Sequence, residues 1–222
     1  MDFADELARV RQRHVDLLDA FLEGQHRHLK QLAEWCSETL CLGGKLLLFG
    51  NGGSAAHAQH LAAEFVGRFE QSRDALPAMA LTTDGAILSG IGNDDDFQRI
   101  FARQIEAFGK PGDLALGIST SGRSPNVSLG LRAARAGGLR TAALLGGDGG
   151  HTRDEVALAV VVPGTDTARI QEIQLIAGHV ICRWVERALI HRPAPLREVA
   201  GRRDSGEARE ARDPLSIAAE RL

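Results

Sequence analysis

The stretch KLLLFGNGGSAAHAQHLAAEF, Lys45 to Phe65, changes character twice. Lys45 to Gly50 is a short apolar run closed by glycine, the composition of a buried parallel strand. Gly50 to Gly53 is a glycine-rich turn. Ser54 to Phe69 reads as a helix, with Ser54 placed as its N-cap. Strand, tight turn and helix in that order form the building unit of an α/β protein.

The same alternation runs on downstream. PAMALTT (Pro77 to Thr83), DLALGIS (Asp113 to Ser119), LRTAALLG (Leu139 to Gly146) and VALAVVVPG (Val156 to Gly164) read as strands. Asp84 to Gly90, Phe97 to Phe108, Ser124 to Ala136 and Thr167 to Ile190 read as helices. This predicts a parallel sheet with helices on both faces, and on such sheets ligands bind beyond the carboxyl ends of the strands. Upstream, Phe3 to Leu40 carries apolar residues at helical spacing. Gly24 predicts a break that would give a helical hairpin, lying over the sheet or against another subunit. Residues 192–222 are charged and contain Pro193, Pro195 and Pro214, as a flexible tail would. The organisation expected is therefore 1–42 helical, 43–191 a single domain, and 192–222 a tail without a catalytic role.

Totals narrow the class. The 222 residues are 44% hydrophobic, enough for one large α/β core. A net charge of -3 gives no basic excess for a nucleic-acid partner. No apolar run reaches the roughly 18 residues of a membrane span, and the charged N-terminus is no secretory signal. Cys36, Cys41 and Cys182 lack paired spacing, so a reducing, cytoplasmic address is expected.

Two loops and two helices carry the chemistry. Gly50-Asn51-Gly52-Gly53-Ser54-Ala55 fits a dinucleotide fingerprint, but that reading needs an acidic residue about 20 positions on, at the end of the second strand. Glu70 has the spacing and ends a helix; Asp84 ends a strand and lies too far away. No Lys-Ser/Thr follows, so the loop is not a P-loop. Its glycines let backbone N–H groups approach a polar ligand at a helix N-terminus. The second loop, Ser119-Thr120-Ser121-Gly122-Arg123-Ser124, is a dense set of hydroxyl and amide donors suited to a phosphate monoester. On the helix after the first loop, His60 and Glu64 stand four apart and share a face, which suits a divalent metal, acid–base work or a plain surface pair. On the last helix, Gln171 and His179 lie eight apart, within about 80° of each other around the axis. Polar groups on so apolar a helix are either satisfied or functional.

Taken together, GNGGS, HxxxE, GND (Gly92 to Asp94), STSGxS and RIQE with a histidine eight after its glutamine resemble the sugar isomerase (SIS) domain. Within that superfamily they resemble the phosphoheptose isomerases, from the N-terminal helices to about Ile190. The resemblance implies a five-stranded parallel core flanked by helices, in a homotetramer with active sites between subunits. It implies conversion of sedoheptulose 7-phosphate to D-glycero-D-manno-heptose 7-phosphate through a cis-enediol, toward the heptose of lipopolysaccharide and other surface glycans. By motif, His60, Glu64, Gln171 and His179 match a zinc site, one ion per subunit. Asn51, Gly52, Gly53, Glu64, Asn93, Asp94, Ser119, Thr120, Ser121, Ser124 and Gln171 match substrate contacts, and Glu64 with His179 the acid–base pair.

The chain departs from the pattern in two places. Ala168 stands where some members carry Asp, with Asp166 and Thr167 just upstream, and Arg123 replaces a residue that is often small or amide-bearing. Some SIS-domain tetramers are non-catalytic adaptors, such as the factor that binds the replication initiator DnaA. They share the glycine loop and the RIQE run but lack the Glu–His pair present here. An isomerase of another phosphosugar is the remaining alternative.

Overall fold

Leu46 and Leu48 belong to one apolar cluster and Leu47 and Phe49 to a second, and all four are buried. A strand covered on both faces has no polar position, which is why KLLLFG reads as an unbroken apolar run rather than an alternating one. The computed structural model describes residues 2–190. The expected tail, 192–222, and the domain end at 191 lie outside the described residues.

Five parallel strands form one sheet: β1 (Leu46–Gly50), β2 (Ala78–Ala80), β3 (Leu114–Ser119), β4 (Arg140–Gly146) and β5 (Leu158–Val162). Their order is β2-β1-β3-β4-β5. One face is covered by α1 (Phe3–Cys41), α2 (Gly53–Val66) and the last helix, α7 (Thr167–Ile190). The other is covered by α4 (Ala102–Phe108) and α5 (Pro125–Ala136). Two smaller helices, α3 (Gly85–Asp94) and α6 (Thr152–Glu155), complete the set, with a 3-10 turn at Phe97–Arg99 before α4. The start of the sheet is pinned by Asp113, whose carboxylate accepts the N–H groups of Lys45 and Lys110 and pairs with the Lys45 ammonium.

The order fixes where ligands can bind. From β1 the chain turns one way, through α2, to β2; β3 lies on the other side. The carboxyl ends of β1 and β3 therefore flank the point where connections diverge, the usual crevice of such sheets. Gly50 pairs with Ile118 there, so the glycine loop and the hydroxyl loop leave adjacent strands side by side.

Two expectations are corrected. The N-terminal hairpin is a single helix of 39 residues, and Gly24 is no break. A mid-helix glycine costs about 1 kcal/mol relative to alanine, too little to end a helix whose far half is anchored by buried Phe21, Leu29, Leu32 and Cys36. Ser54 is not the N-cap of α2; Gly52 is, at φ +53, and no side chain caps that end. The Ser54 and Ala55 N–H groups donate instead to the Asn51 and Gly52 carbonyls within the turn itself.

Gly24 is exposed and nothing lies within 4 Å of where its side chain would be. Gly24→Ala should therefore stabilise the protein by about 0.5–1 kcal/mol, raising the thermal midpoint by roughly 1–4 °C. A differential scanning measurement decides it; a lower midpoint would mean that α1 needs flexibility at that turn.

Candidate active site

Helices α2 and α7 run side by side in the same direction, so residues meet level by level. Gly53 meets Gln171, Leu61 meets Gly178, and His60 meets His179. Gly178 sets the spacing: a Cβ there would stand 2.5 Å from Cδ2 of the buried Leu61. At this distance the Nε2 atoms of His60 and His179 approach to 2.9 Å, and Glu64 Oε1 lies 3.4 Å from His60 Nε2. One ligand atom from each of the three residues lies within 4.8 Å of the others.

Two imidazole nitrogens this close need either one shared proton or one shared ion. A tetrahedral zinc, with bonds of about 2.0–2.1 Å, holds its ligand atoms roughly 3.3 Å apart. The His60–His179 and His60–Glu64 separations bracket that figure, and two imidazoles with a carboxylate are an accepted catalytic-zinc donor set. The residues fit a divalent ion. Burial lowers the pKa of His179 from its ordinary value, with His60 lowering it further and Glu64 opposing. An imidazole held neutral in this way keeps its lone pair for a metal or a proton. His57, one turn before His60, is shifted down by burial and by both neighbouring imidazoles, and its Nδ1 is buried without a partner. It stands outside the three-residue cluster.

Gln171 is not brought to that cluster by the fold as it stands. Eight residues before His179 is about 12 Å along the axis, and the Gln171 amide instead rests where a side chain on Gly53 would go. It belongs here to the glycine loop. Asn51 is tied to the first turn of α5, just after the second loop, through a paired amide contact with Asn126, 2.8 Å in each direction.

In the hydroxyl loop, Ser119 Oγ accepts the Gly122 N–H at 3.1 Å and meets Ser124 Oγ at 3.2 Å. Those two hydroxyls shape the loop as well as facing it. Ser121 Oγ accepts the Arg123 N–H. The sequence left the role of Arg123 open: its guanidinium clasps Asp148 through two bonds, 2.9 and 2.6 Å, and so straps the hydroxyl loop to the turn after β4. That pairing, with the Gly150 N–H, holds the Asp148 carboxyl well below the usual carboxylate range. Below the strap a cavity of about 640 Å³ is lined by Thr120, Ser121, Gly147, Asp148, Thr165 and Thr167 among others. Asp166, also left open, caps α7 by accepting the Ala168 N–H. Asn93 and Asp94 close α3, exposed and bonded to each other.

The SIS-domain family model matches residues 11–146. A phosphoheptose isomerase of Roseiflexus sp. (strain RS-1) is 52% identical over 175 residues, which span 79% of this chain and 89% of that one. Among solved structures, a phosphoheptose isomerase from Neisseria gonorrhoeae aligns with TM-score 0.79 at 36% identity, over 84% of this chain and 100% of that one. One from Francisella tularensis aligns with TM-score 0.81 at 31% identity and the same coverage.

Because Gly178 sets the interhelical distance, Gly178→Ala should part α2 from α7 at the level of His60 and His179. We expect a stability loss of about 1–3 kcal/mol in urea unfolding, the usual cost of overfilling a core. We also expect weaker binding of Co²⁺ in a spectroscopic titration. An alanine variant with both properties of the parent would show that Leu61 moves aside freely.

Proposed function

Since the chain belongs to the SIS-domain family, and within it to the phosphoheptose isomerases, we propose that it converts sedoheptulose 7-phosphate to D-glycero-D-manno-heptose 7-phosphate. That makes it an aldose–ketose isomerase supplying the heptose of surface glycans such as lipopolysaccharide, and the cytoplasm is its proposed address. The observation that carries the assignment of roles is the convergence of Glu64, His60 and His179 from two helices. A non-catalytic adaptor has no use for that convergence.

Ketose–aldose exchange moves one proton from C1 to C2 and another between the two oxygens. Glu64 is assigned the carbon-bound proton: its carboxylate takes it from C1, leaving a cis-enediol, and returns it to C2. His179 is assigned the transfer between O1 and O2. His60, Glu64 and His179 would hold a divalent ion, zinc by their chemistry, which when bound polarises the substrate carbonyl. Ligation and proton transfer cannot use the same atom. An imidazole nitrogen or carboxylate oxygen that held the ion would not at the same moment carry a proton, so His179 would act as a base only through a nitrogen with a free lone pair. Gln171 is assigned to substrate at the glycine loop; to serve as fourth ligand its amide must leave Gly53 and extend along α7.

The phosphate is assigned to Ser119, Thr120, Ser121 and Ser124, with Asn51, Gly52 and Gly53 offering amides to the sugar. Asn93 and Asp94, exposed at the end of α3, are assigned to substrate. The proposed assembly is a homotetramer with sites between subunits. It is supported by exposed Phe3, Leu7 and Leu22 on α1 and by exposed Val180 and Trp184 on α7.

Purified protein is expected to turn over sedoheptulose 7-phosphate and to lose activity on chelation, regaining it with zinc. Glu64→Gln and His179→Ala should each lower kcat by about 10²–10⁴-fold, with the oligomer intact by light scattering. A zinc-loaded wild type that does not isomerise this ketose would sink the assignment.

Ser121→Ala and Ser124→Ala should each raise KM about fivefold, as the loss of one hydrogen bond worth about 1 kcal/mol does, with kcat little changed. Unchanged KM in both would move the phosphate away from this loop.

A further inference from the structure

Glu186 stands seven residues after His179, hence on the same side of α7, and it is buried. Its carboxylate accepts three successive backbone N–H groups of the loop after α2: Phe69 at 2.8 Å, Glu70 at 2.9 Å and Gln71 at 3.2 Å. It also accepts Nε of Arg73 at 3.0 Å. Burial pushes the Glu186 carboxyl up, but the three N–H groups and Arg73 outweigh it and hold the pKa below the ordinary value.

Arg73 spends its remaining nitrogens on the end of α2. Nη2 donates to the carbonyl of Glu64 at 2.7 Å, and Nη1 to those of Phe65 at 2.8 Å and Asp74 at 3.0 Å. A cation bonded to the last carbonyls of a helix satisfies groups that would otherwise have no partner and sits favourably on its dipole. The Arg73 and Glu186 side chains are 6% and 3% exposed. At that burial the pair adds little net stability for its cost, and its clearest product is a fixed geometry.

What the pair fixes is the acid–base site. Arg73 holds the turn of α2 that carries Glu64. Glu186 holds the N–H of Phe69, whose ring lies against the His179 imidazole with centroids 5.3 Å apart and planes at 35°. On the outer side Arg183 pairs with Glu70 and lies over the same ring, 5.8 Å from its centroid. The geometry points to Arg73, Glu186 and Phe69 as positioning residues of the isomerase site, a clamp that sets Glu64 through its backbone and His179 through the Phe69 ring. None of the three is asked to touch substrate. The catalytic consequence rests on the isomerase reading, whereas the coupling of Arg73 to His179 is a property of the fold alone.

The test uses Arg73→Lys, which keeps the charge and loses the forked contacts, and Phe69→Leu, which keeps apolar bulk and loses the ring. The His179 ring resonances are followed by NMR in the full-length, metal-free protein, and kcat and KM are measured in the zinc-loaded protein. Phe69→Leu should remove the ring-current shift on His179. Arg73→Lys, though it touches no atom of His179, should move the same resonances in the same direction. Both should lower kcat about ten- to a hundredfold, the scale of small misplacements, with KM within about twofold of wild type. Folded Arg73→Lys protein with unmoved His179 signals and wild-type kcat overturns the clamp. Should Arg73→Lys not fold, Phe69→Leu decides: an unmoved His179 shift or unchanged kcat overturns it equally. An inactive wild type overturns the isomerase reading, and the NMR comparison still judges the coupling.

Discussion

The close parallel contact of α2 and α7 is the constraint on which the site depends. At Gly178 the helices approach until Leu61 fills the place of the missing side chain. Everything functional on these helices is then matched by level: Gly53 with Gln171, His60 with His179, and the end of α2 with Glu186. A side chain at 178 would widen the seam for all three levels together, because helices in a packed core move as rigid bodies and not residue by residue. The sheet supplies the rest, since β1 delivers α2 to the crevice where β3 delivers the hydroxyl loop.

The two ends of the site work by different electrostatics. At the strand ends the donors are hydroxyls, amides and a helix N-terminus without a side-chain cap, and the Arg123 guanidinium is already committed to Asp148. Such a loop holds an anion by dipoles and hydrogen bonds rather than by a full countercharge. Along α2 and α7 the groups are imidazoles and a carboxylate. There burial and the neighbouring His60 imidazole keep His179 from taking a proton too readily.

The strands and α2 and α7 were legible because their signals are local: unbroken apolar runs between glycines, and apolar residues at helical spacing. The i,i+4 relation of His60 and Glu64 was legible for the same reason. The error at Gly24 came from weighing a local cost of about 1 kcal/mol without the tertiary contacts of the helix around it. Ser54 misled similarly, since capping residues are common and the turn geometry that decides between Gly52 and Ser54 is backbone conformation, not composition. The 2.9 Å meeting of His60 and His179 joins residues 119 apart in the chain, and no spacing rule reaches that far. Only the motif resemblance put them in one site. Arg73 and Glu186 gave no signal, because a charged pair becomes informative only once it is seen to be buried.

An isolated chain leaves the chemistry half enclosed. The His60 side chain is 43% exposed, and elsewhere on α7 Val180 and Trp184 present apolar surface to solvent. An enediol survives to be reprotonated on the correct carbon only if water is kept from competing for protons. Within one chain, the clamp of Arg73, Glu186 and Phe69 orients the acid–base pair from behind but covers nothing in front. In the proposed tetramer a second copy would close the exposed side of His60. Orientation is thus built into the fold of the single chain, and in the proposed tetramer exclusion of water would fall to the partner copies.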